Sequence, residues 1–513
     1  MRFRRSTVLV AALAVLASGC GVASRAQNAG SGTEVPGIGS NPPSAPVGPI
    51  PAGLEKFYQQ KPDWERCGSN QQCATILVPL DYSKPAGQTI ELRARKVLAR
   101  DRGGRLGTLF INPGGPGASG QEFAGQAPLL FGASLLRKFD IIGWDPRGVG
   151  ESTPVKCLDT EQLDTMIAAD GSPDNAAEIA DLDKEAKTFA AACETRSGRL
   201  LPHVSTKDAA RDIDVLRGIV GDPQLYYLGM SYGTYLGATY AELFPKNVGR
   251  MVLDGAVDPA ITSAQMGMAQ AKGFDKALDA FAEDCAQRSC KLGSSKNEVL
   301  AKIDQLIKAS DANPLPGDGQ RQVTQALVIL GLVYPLYLKD FWPRLEDAVA
   351  DGLAGNGARL LALADEYTDR KPSGYADNSN EVQIAVNCSD RPDAASIAQL
   401  QAEVPEFKAA SPRFGEFLAW SSVACINWPV KPTDKPHQIK AAGAKPIMVL
   451  GTTRDPATPY EWAVGLAHQL ESGILVTRDG DGHTAYLSGN ACVKNVVESY
   501  LVQGNTPAAD IKC

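Results

Sequence analysis

The sequence predicts an α/β fold in which a mostly parallel sheet is flanked by helices. Short apolar runs that end in glycine or turn residues alternate with stretches of helical periodicity. These runs are continuously hydrophobic, as is typical of strands that helices cover on both faces. A Gly-x-Ser-x-Gly segment at 229–233 lies between one such run and a helix. Together these observations favour a sheet whose strands carry a functional site at their carboxyl ends.

The predicted elements follow one another in a regular order. Two β-rich runs joined by a Pro-Ala-Gly turn predict a hairpin. Further strands and helices then alternate, and a long helical stretch precedes the last two strands. The predicted hairpin comprises 74–82 and 89–98, the later strands 107–111, 139–144, 224–228, 248–254, 446–451 and 473–477, and the helices 206–220, the serine motif through 244, and 460–470.

The same pattern divides the chain into segments. Residues 20–50 are rich in Gly, Ser, Pro and Ala and poor in large apolar side chains, which predicts a flexible tether. The α/β pattern of 51–257 stops at a helical stretch, 258–429, and resumes in 430–513. We therefore expect one α/β core whose two parts are separated by a helical cap.

Length and composition are those of a globular protein. The 513 residues suffice for one large domain with a sizeable insertion. With 44% hydrophobic and 21% charged residues, the composition argues against a polytopic membrane protein. The net charge of -7 provides no global positive field, so we expect no nucleic acid partner.

The first 19 residues have the layout of an export signal. Three arginines precede an apolar run, 8–17, which is too short to span a bilayer. Residues 16–20 resemble a bacterial lipoprotein signal, in which Cys20 becomes lipid-modified, although Ala17 stands where leucine is usual. We expect an exported protein that a lipid on Cys20 anchors to the outer face of the cell membrane or envelope. A plain secretory signal with an incidental cysteine is the alternative.

Cysteine usage agrees with export. The chain has eleven cysteines, and ten remain without Cys20, an even number as expected of disulfides outside the cytoplasm. Their spacings do not match a metal site, so we expect no metal. The sequence does not determine connectivity. Pairing sequence neighbours joins Cys67 with Cys73, Cys157 with Cys193, Cys285 with Cys290, Cys388 with Cys425, and Cys492 with Cys513.

The segment 229–233 has the form of a nucleophile elbow. Glycines two positions on either side of Ser231 leave room for a tight turn that presents the serine hydroxyl above the sheet. The pattern is weak by itself, but the apolar run before it and the small residues of the following helix support it. We predict that Ser231 is a nucleophile.

A serine nucleophile needs a base, and the chain has four histidines. His203 precedes the serine in a turn, His437 lies in a Lys- and Pro-rich connector, and His468 lies within a predicted helix. His483 follows the last predicted strand in a glycine-rich loop, 479–484, where sheets of this class place their sites. We therefore predict His483 as the base.

The third member must be a carboxylate that orients the imidazole. Asp455 follows the penultimate predicted strand and completes the chain order Ser, Asp, His of the α/β-hydrolase fold. Asp479 and Asp481 are competitors, but they share a loop with His483 and are less suited to reach the far ring nitrogen. We predict the triad Ser231, Asp455 and His483.

Acyl transfer also needs donors for the developing oxyanion. The backbone N–H of Tyr232 supplies one, and a glycine-rich loop, 112–117, after an early strand supplies another, which we assign to Gly115. A phosphate cradle is the alternative for this loop. It lacks the Lys-Ser/Thr ending of a P-loop and the spacing of a dinucleotide-binding loop.

Four motifs in order resemble the secreted bacterial tripeptidyl aminopeptidases, which belong to the α/β-hydrolase peptidase family that also contains the prolyl iminopeptidases. The motifs are Asn-Pro-Gly-Gly-Pro-Gly at 112–117, Trp-Asp-Pro-Arg-Gly-x-Gly-x-Ser at 144–152, the serine motif through 237, and Gly-Thr-Thr-Arg-Asp-Pro-Ala-Thr-Pro at 451–459. Pro113 stands where the prolyl iminopeptidases usually carry histidine. The oxyanion donors are backbone groups, so this change leaves their function intact.

The resemblance implies a serine peptidase that needs no cofactor and releases short peptides from free N-termini. It also implies that the cap shapes the pocket and that acidic groups bind the α-ammonium group of the substrate. Asp390 resembles such a position, with Glu381 a weaker candidate, although each could be a solvated acid or a neighbour of a disulfide. A cell-envelope carboxylesterase or lipase with the same triad is the alternative function. A non-catalytic hydrolase-fold binding protein is a further one, which usually lacks a triad member.

Overall fold

A sheet of ten strands forms the centre of the protein. The computed structural model describes residues 48–392, 394–432, 434–508 and 510–513. The strands in chain order are β1 (Glu65–Gly68), β2 (Gln71–Pro79), β3 (Thr89–Val97), β4 (Gly107–Asn112), β5 (Phe139–Trp144), β6 (Leu225–Met230), β7 (Val248–Asp254), β8 (Leu315–Pro316), β9 (Gln322–Val323), β10 (Arg370–Lys371), β11 (Gly374–Tyr375), β12 (Ile447–Arg454), β13 (Gly473–Asp481) and β14 (Ile511–Lys512).

The strand order in the main sheet is β1-β2-β3-β5-β4-β6-β7-β12-β13-β14. In this order, neighbouring strands from β5 through β4, β6, β7, β12 and β13 to β14 pair in parallel. The strands β1, β2 and β3 form an antiparallel part of the sheet, which pairs with β5. Every residue of β4 and β5 is buried, as expected of strands that helices cover on both faces. The prediction of a mostly parallel α/β sheet with an N-terminal hairpin is therefore confirmed.

Helices cover both faces of this sheet and fill the segment between β7 and β12. They are α1 (Glu55–Tyr58), α2 (Gly120–Leu130), α3 (Ala133–Lys138), α4 (Thr160–Ile167), α5 (Ala176–Ser197), α6 (Thr206–Ile219), α7 (Tyr232–Leu243), α8 (Ser263–Gln287), α9 (Lys296–Ala312), α10 (Gln325–Val333), α11 (Trp342–Leu353), α12 (Ala358–Tyr367), α13 (Ser379–Asp390), α14 (Ile397–Ala410), α15 (Gly415–Trp420), α16 (Val423–Ile426), α17 (Tyr460–Gln469) and α18 (Ala491–Gln503).

The helices α8 to α12 have a hydrophobic core of their own. Leu278, Phe281, Leu345 and Leu360 are fully buried within it, and two short hairpins, β8–β9 and β10–β11, accompany these helices. The helical character expected between the two parts of the sheet is thus seen. Its assignment as a cap with the boundaries 258–429 stays a prediction.

One predicted boundary differs in a way that concerns the site. The last long strand was expected to end at 477 and to be followed by a loop from 479, but β13 continues to Asp481. Arg454 at the end of β12 pairs with Asp481 in the strand register, and its guanidinium group donates to the carboxylate of Asp481. This cross-strand pair extends β13 by four residues, and sequence periodicity does not reveal it.

The cysteines pair as neighbours along the chain. Five disulfides are present, so the pairing predicted from sequence order is confirmed: Cys67–Cys73, Cys157–Cys193, Cys285–Cys290, Cys388–Cys425 and Cys492–Cys513. Disulfides of this number are consistent with an exported protein.

The Trp-Asp-Pro-Arg-Gly motif at 144–148 has a structural role. The Arg147 side chain is fully buried, and its guanidinium group donates to both carboxylate oxygens of Asp212 on α6, at 2.8 and 2.7 Å. The carboxylate of Asp145 accepts hydrogen bonds from Ser119 and Gln121, at the start of α2. The motif therefore fixes α2 and α6 relative to the end of β5.

The N-terminal segment lies almost wholly outside the described residues. The predicted export signal, Cys20 and all but the last three residues of the predicted tether fall within 1–47. Within the residues that the structure describes, none of the helices has the length and apolar character needed to cross a membrane.

Candidate active site

Ser231 occupies a strained turn between β6 and α7. Its φ is 54° and its ψ is -126°, a conformation that residues other than glycine rarely adopt. A Cβ atom on Gly229 would lie 2.3 Å from the carbonyl oxygen of Gly233, and one on Gly233 would lie 2.7 Å from the side chain of Asn112. Only glycine fits at either position, so the spacing of the motif is a packing requirement.

The turn exposes the serine while its neighbours are buried. From Tyr227 to Ala241, Ser231 is the one residue that is partly exposed. Its backbone N–H donates to the carbonyl oxygen of Asp254 at the end of β7, at 2.9 Å. Its hydroxyl does not cap α7, so it remains available above the carboxyl end of the sheet.

His483 and Asp455 are in direct contact. The Nδ1 atom of His483 lies 2.9 Å from each carboxylate oxygen of Asp455. Because a carboxylate only accepts, Nδ1 carries a proton and Nε2 is left to act as a base. The side chain of Asp455 is fully buried, whereas that of His483 is 11% exposed. This pair has the geometry of the acid and base of a serine triad.

A shell of donors holds the Asp455 carboxylate. One oxygen accepts from the backbone N–H groups of Ala457 and Thr458, at 3.0 and 2.9 Å. The other accepts from the N–H of Thr484 at 3.1 Å and from the hydroxyl of Thr458 at 3.0 Å. The same hydroxyl lies 3.3 Å from Nδ1 of His483. Sequence reasoning missed Thr458, although its position three residues after Asp455 in the same loop could have suggested it.

The surroundings of His483 favour its charged form. Burial lowers the pKa of His483, but the charge of Asp455, the hydrogen bond to Asp455 and the charge of Asp254 outweigh this, so the pKa lies above the ordinary 6.5. A base with a raised pKa accepts the serine proton more readily. Activity that needs neutral His483 is therefore lost as the pH falls through this raised pKa.

The competing carboxylates are engaged elsewhere. Asp479 and Asp481 lie at the end of β13, where both accept hydrogen bonds from the guanidinium group of Arg454. The other histidines have different surroundings, and the carboxylates near His203 are those of Asp81 and Asp208. His437 contacts Glu242 at 2.9 Å, and His468 is exposed in the last turn of α17.

The glycine-rich loop after β4 packs against the elbow. A Cβ atom on Gly114 would lie 2.8 Å from Cβ of Ser231 and 3.1 Å from the backbone nitrogen of Tyr232. The N–H of Gly114 donates to Asn112 at 3.0 Å, so this group is not free to stabilise an oxyanion. Tyr232 opens α7, where backbone N–H groups lack helical acceptors. The assignment of the oxyanion donors to Gly115 and Tyr232 stays a prediction.

Asp390, the last residue of α13, is connected to Tyr232 of the elbow through Thr206. It is 5% exposed, and its two carboxylate oxygens accept hydrogen bonds from the N–H and the hydroxyl of Thr206, at 2.7 and 2.6 Å. The Thr206 hydroxyl in turn lies 2.6 Å from the hydroxyl of Tyr232. Burial raises the pKa of Asp390 to about 6. Both oxygens of Asp390 are thus in use, and its predicted binding of an ammonium group stays a prediction.

Glu381 resembles Asp390 in that its buried carboxylate also accepts hydrogen bonds from within the protein. Its carboxylate is buried and accepts from the backbone N–H groups of Cys157 and Leu158, each at 2.7 Å. It therefore holds the chain beside the Cys157–Cys193 disulfide.

The segment between β7 and β12 reaches the histidine. The carbonyl oxygen of Tyr337 accepts a hydrogen bond from the N–H of His483 at 2.8 Å. The ring of Tyr337 meets the imidazole edge to face, with 5.4 Å between ring centroids. Lys339 also lies 3.6 Å from Asp481. The helical segment thus forms one wall around His483.

Among the residues that the structure describes, one group combines three side chains of metal-ligand type, namely Cys285, Cys290 and Glu346. The two sulfur atoms are bonded to each other and cannot act as thiolate ligands. The carboxylate of Glu346 accepts hydrogen bonds from Lys291 and Arg288. These residues do not form a suitable donor set for a metal.

Comparison with known proteins agrees with this geometry. A family model described as a TAP-like protein matches residues 411–513, and one described as the alpha/beta hydrolase fold matches residues 107–328. The serine protease Hip1 of Mycobacterium tuberculosis is 35% identical over 476 residues, which cover 88% of this chain and 91% of Hip1.

Two further relatives carry different names. The tripeptidyl aminopeptidase of Streptomyces lividans is 33% identical over 467 residues, which cover 88% of this chain and 86% of that protein. Carboxylesterase B of Mycobacterium tuberculosis is 34% identical over 501 residues, with 94% and 93% covered. The similarity therefore extends over nearly the whole chain in all three cases.

The contacts of Thr458 lead to a prediction. Replacing Thr458 by valine keeps the shape and the backbone N–H but removes the hydroxyl that binds Asp455 and lies beside His483. We expect kcat for p-nitrophenyl acetate to fall about tenfold, because one hydrogen bond to a charged group is lost. Thr453→Val is the matched control, since the Thr453 hydroxyl, near the end of β12, bonds to exposed Asp479 on β13. Equal kcat values for the two variants would contradict the prediction.

Proposed function

Because the chain belongs to the TAP-like family of α/β-hydrolases, we propose that it is a serine peptidase that releases tripeptides and other short peptides from free N-termini.

 The observation that carries the proposal is the contact of His483 with Asp455 beside the strained turn that presents Ser231. The relatives named as a serine protease and a tripeptidyl aminopeptidase support the assignment as a peptidase.

In the proposed mechanism, Ser231 attacks the carbonyl carbon of a peptide bond near the substrate's N-terminus. Its hydroxyl proton passes to Nε2 of His483, and the buried carboxylate of Asp455 stabilises the resulting imidazolium. His483 then donates this proton to the leaving nitrogen as the C–N bond breaks. Water hydrolyses the acyl-enzyme by the reverse use of the same groups, which releases the short N-terminal peptide and restores Ser231.

Backbone N–H groups stabilise the negative charge that develops on the carbonyl oxygen. We assign them to Tyr232, at the start of α7, and to Gly115. The close packing of Gly114 against Ser231 supports this assignment, because it brings the glycine-rich loop to the nucleophile. Preorganised donors at this position contribute about 2.7–4 kcal/mol each to the stabilisation of such transition states.

We further propose that residues 258–429 form a cap over this site. The contacts of Tyr337 with His483 support the proposal, as does the separate hydrophobic core of α8 to α12. The N-terminal part of α13 also lies against the glycine-rich loop, since a Cβ atom on Gly117 would lie 2.7 Å from Val382. A cap in this place would limit how many residues lie on the N-terminal side of the scissile bond.

The substrate class can be tested with matched peptide amides. Peptide p-nitroanilides of one to six residues, each with a free or an acetylated N-terminus, are compared for kcat/KM, with Ser231→Ala as the inactive control. We expect a maximum at three residues and a loss of about 10- to 100-fold on acetylation, because a charge-assisted hydrogen bond to the ammonium group is lost.

Two outcomes of this series would contradict parts of the proposal. Equal rates with free and acetylated N-termini would rule out an aminopeptidase, and a rate independent of peptide length would argue against the cap. Activity confined to p-nitrophenyl esters would instead favour a carboxylesterase, an alternative for which the similarity to Carboxylesterase B is the supporting observation.

We also propose that the protein is exported and that a lipid on Cys20 tethers it to the outer face of the cell envelope. The layout of the first 19 residues and the five disulfides support export. Mass spectrometry of the mature N-terminus is the test. We expect a diacylglyceryl-modified peptide that begins at Cys20, and Cys20→Ser should release the protein from the membrane fraction. An unmodified N-terminus at any other residue would contradict the anchor.

A further inference from the structure

Asp254, the last residue of β7, lies between the two strands that carry the proposed nucleophile and the proposed acid. Its side chain is buried, and the mechanism above does not use it. One carboxylate oxygen accepts a hydrogen bond from the N–H of Ala485, and the other accepts one from the N–H of Tyr486, each at 2.8 Å. These are the second and third residues after His483.

The backbone of Asp254 contacts the nucleophile elbow. Its carbonyl oxygen accepts the hydrogen bond from the N–H of Ser231 at 2.9 Å. Asp254 therefore binds the nucleophile through its main chain and the loop of the histidine through its side chain. The positions of Ser231 and of the His483 loop are therefore linked through a single residue, Asp254.

The next residue, Gly255, brings the main chain against the imidazole. Its φ is 67°, and a Cβ atom at this position would lie 3.2 Å from Cε1 of His483 and 3.1 Å from the Thr458 hydroxyl. Its N–H donates to the carbonyl oxygen of Leu450 on β12 at 3.1 Å. The segment Asp254–Gly255 is thus in contact with the loops of all three predicted triad residues.

We propose that Asp254 is a positioning residue, which sets the place of His483 relative to Ser231 by holding both of their loops. The inference rests on the proposed serine-hydrolase function. It assigns to Asp254 no direct contact with the substrate, and it leaves Asp455 as the carboxylate that orients the ring.

The charge of Asp254 provides a readout that a purely structural role would not affect. The charged and titratable groups around His483 are Asp455 on the loop after β12, Asp254 on β7, Arg478 on β13 and Tyr337 from the helical segment. The anionic form of Asp254 favours the imidazolium form of His483. Removal of this charge therefore lowers the pKa of His483 and moves the acidic limb of the pH profile to lower pH.

The test is Asp254→Asn, which keeps the size of the side chain. Asparagine offers one oxygen acceptor, so its amide group faces one of the two N–H donors and the loop of His483 must shift. Active sites are counted with a fluorophosphonate probe, and kcat, KM and the pH profile are then measured per labelled site with p-nitrophenyl acetate. We expect kcat to fall about tenfold, KM to stay unchanged, and the acidic limb to move to lower pH.

Asp222→Asn is the matched control. Asp222 is also a buried aspartate that accepts a backbone hydrogen bond, from Thr108 at 2.7 Å, but at the amino end of the strands. We expect its kcat per labelled site and its pH profile to equal those of the wild type. The same values in folded Asp254→Asn would overturn the inference.

A second variant covers the case in which Asp254→Asn does not fold. Asp254→Glu keeps the negative charge and both acceptor oxygens but moves them one methylene further from the backbone, and we expect a lower kcat per labelled site in the folded protein. An unchanged kcat would overturn the inference. If the probe does not label the wild-type protein, the proposed function itself is contradicted, and this result is distinct from a labelled wild type with unaffected variants.

Discussion

Four neighbouring strands, β6, β7, β12 and β13, run in parallel, so their carboxyl ends lie side by side. The site depends on this arrangement. Parallel strands place their carboxyl ends side by side, so side chains that are far apart in sequence meet there. Ser231 follows β6, Asp254 ends β7, Asp455 follows β12 and His483 follows β13. The order of the strands therefore determines which loop contributes each polar group to the site.

The backbone is strained at two positions near the carboxyl ends of these strands. Ser231 and Thr484 both have positive φ values although neither is glycine. Such conformations cost about 1–3 kcal/mol each and persist where the surroundings determine them. Here the surroundings are hydrogen bonds: the N–H of Ser231 donates to Asp254, and the N–H of Thr484 donates to Asp455. The strain lies at the proposed nucleophile and beside the proposed base, where a fixed geometry favours catalysis.

Much of this arrangement could be predicted from the sequence, because its signals are local. The apolar runs predicted the strands, and the glycine spacing predicted the elbow. Chain order selected Asp455 and His483, which the structure brings into contact. The role of Asp254 could not be predicted in this way, because it depends on contacts between segments that are distant in the chain. The contact of Thr458 with Asp455 is local, but its contact with His483 is not. The extension of β13 to Asp481 was missed for the same reason, since it depends on Arg454 of the adjacent strand.

The proposed function requires that Ser231 is a nucleophile activated by His483 and Asp455. Labelling of the purified protein with a fluorophosphonate, followed by proteolysis and mass spectrometry, tests it most directly. We expect a single adduct on Ser231, which is absent in Ser231→Ala and forms much more slowly in His483→Ala. An adduct on another serine, or a wild-type protein that the probe leaves unmodified, would contradict it.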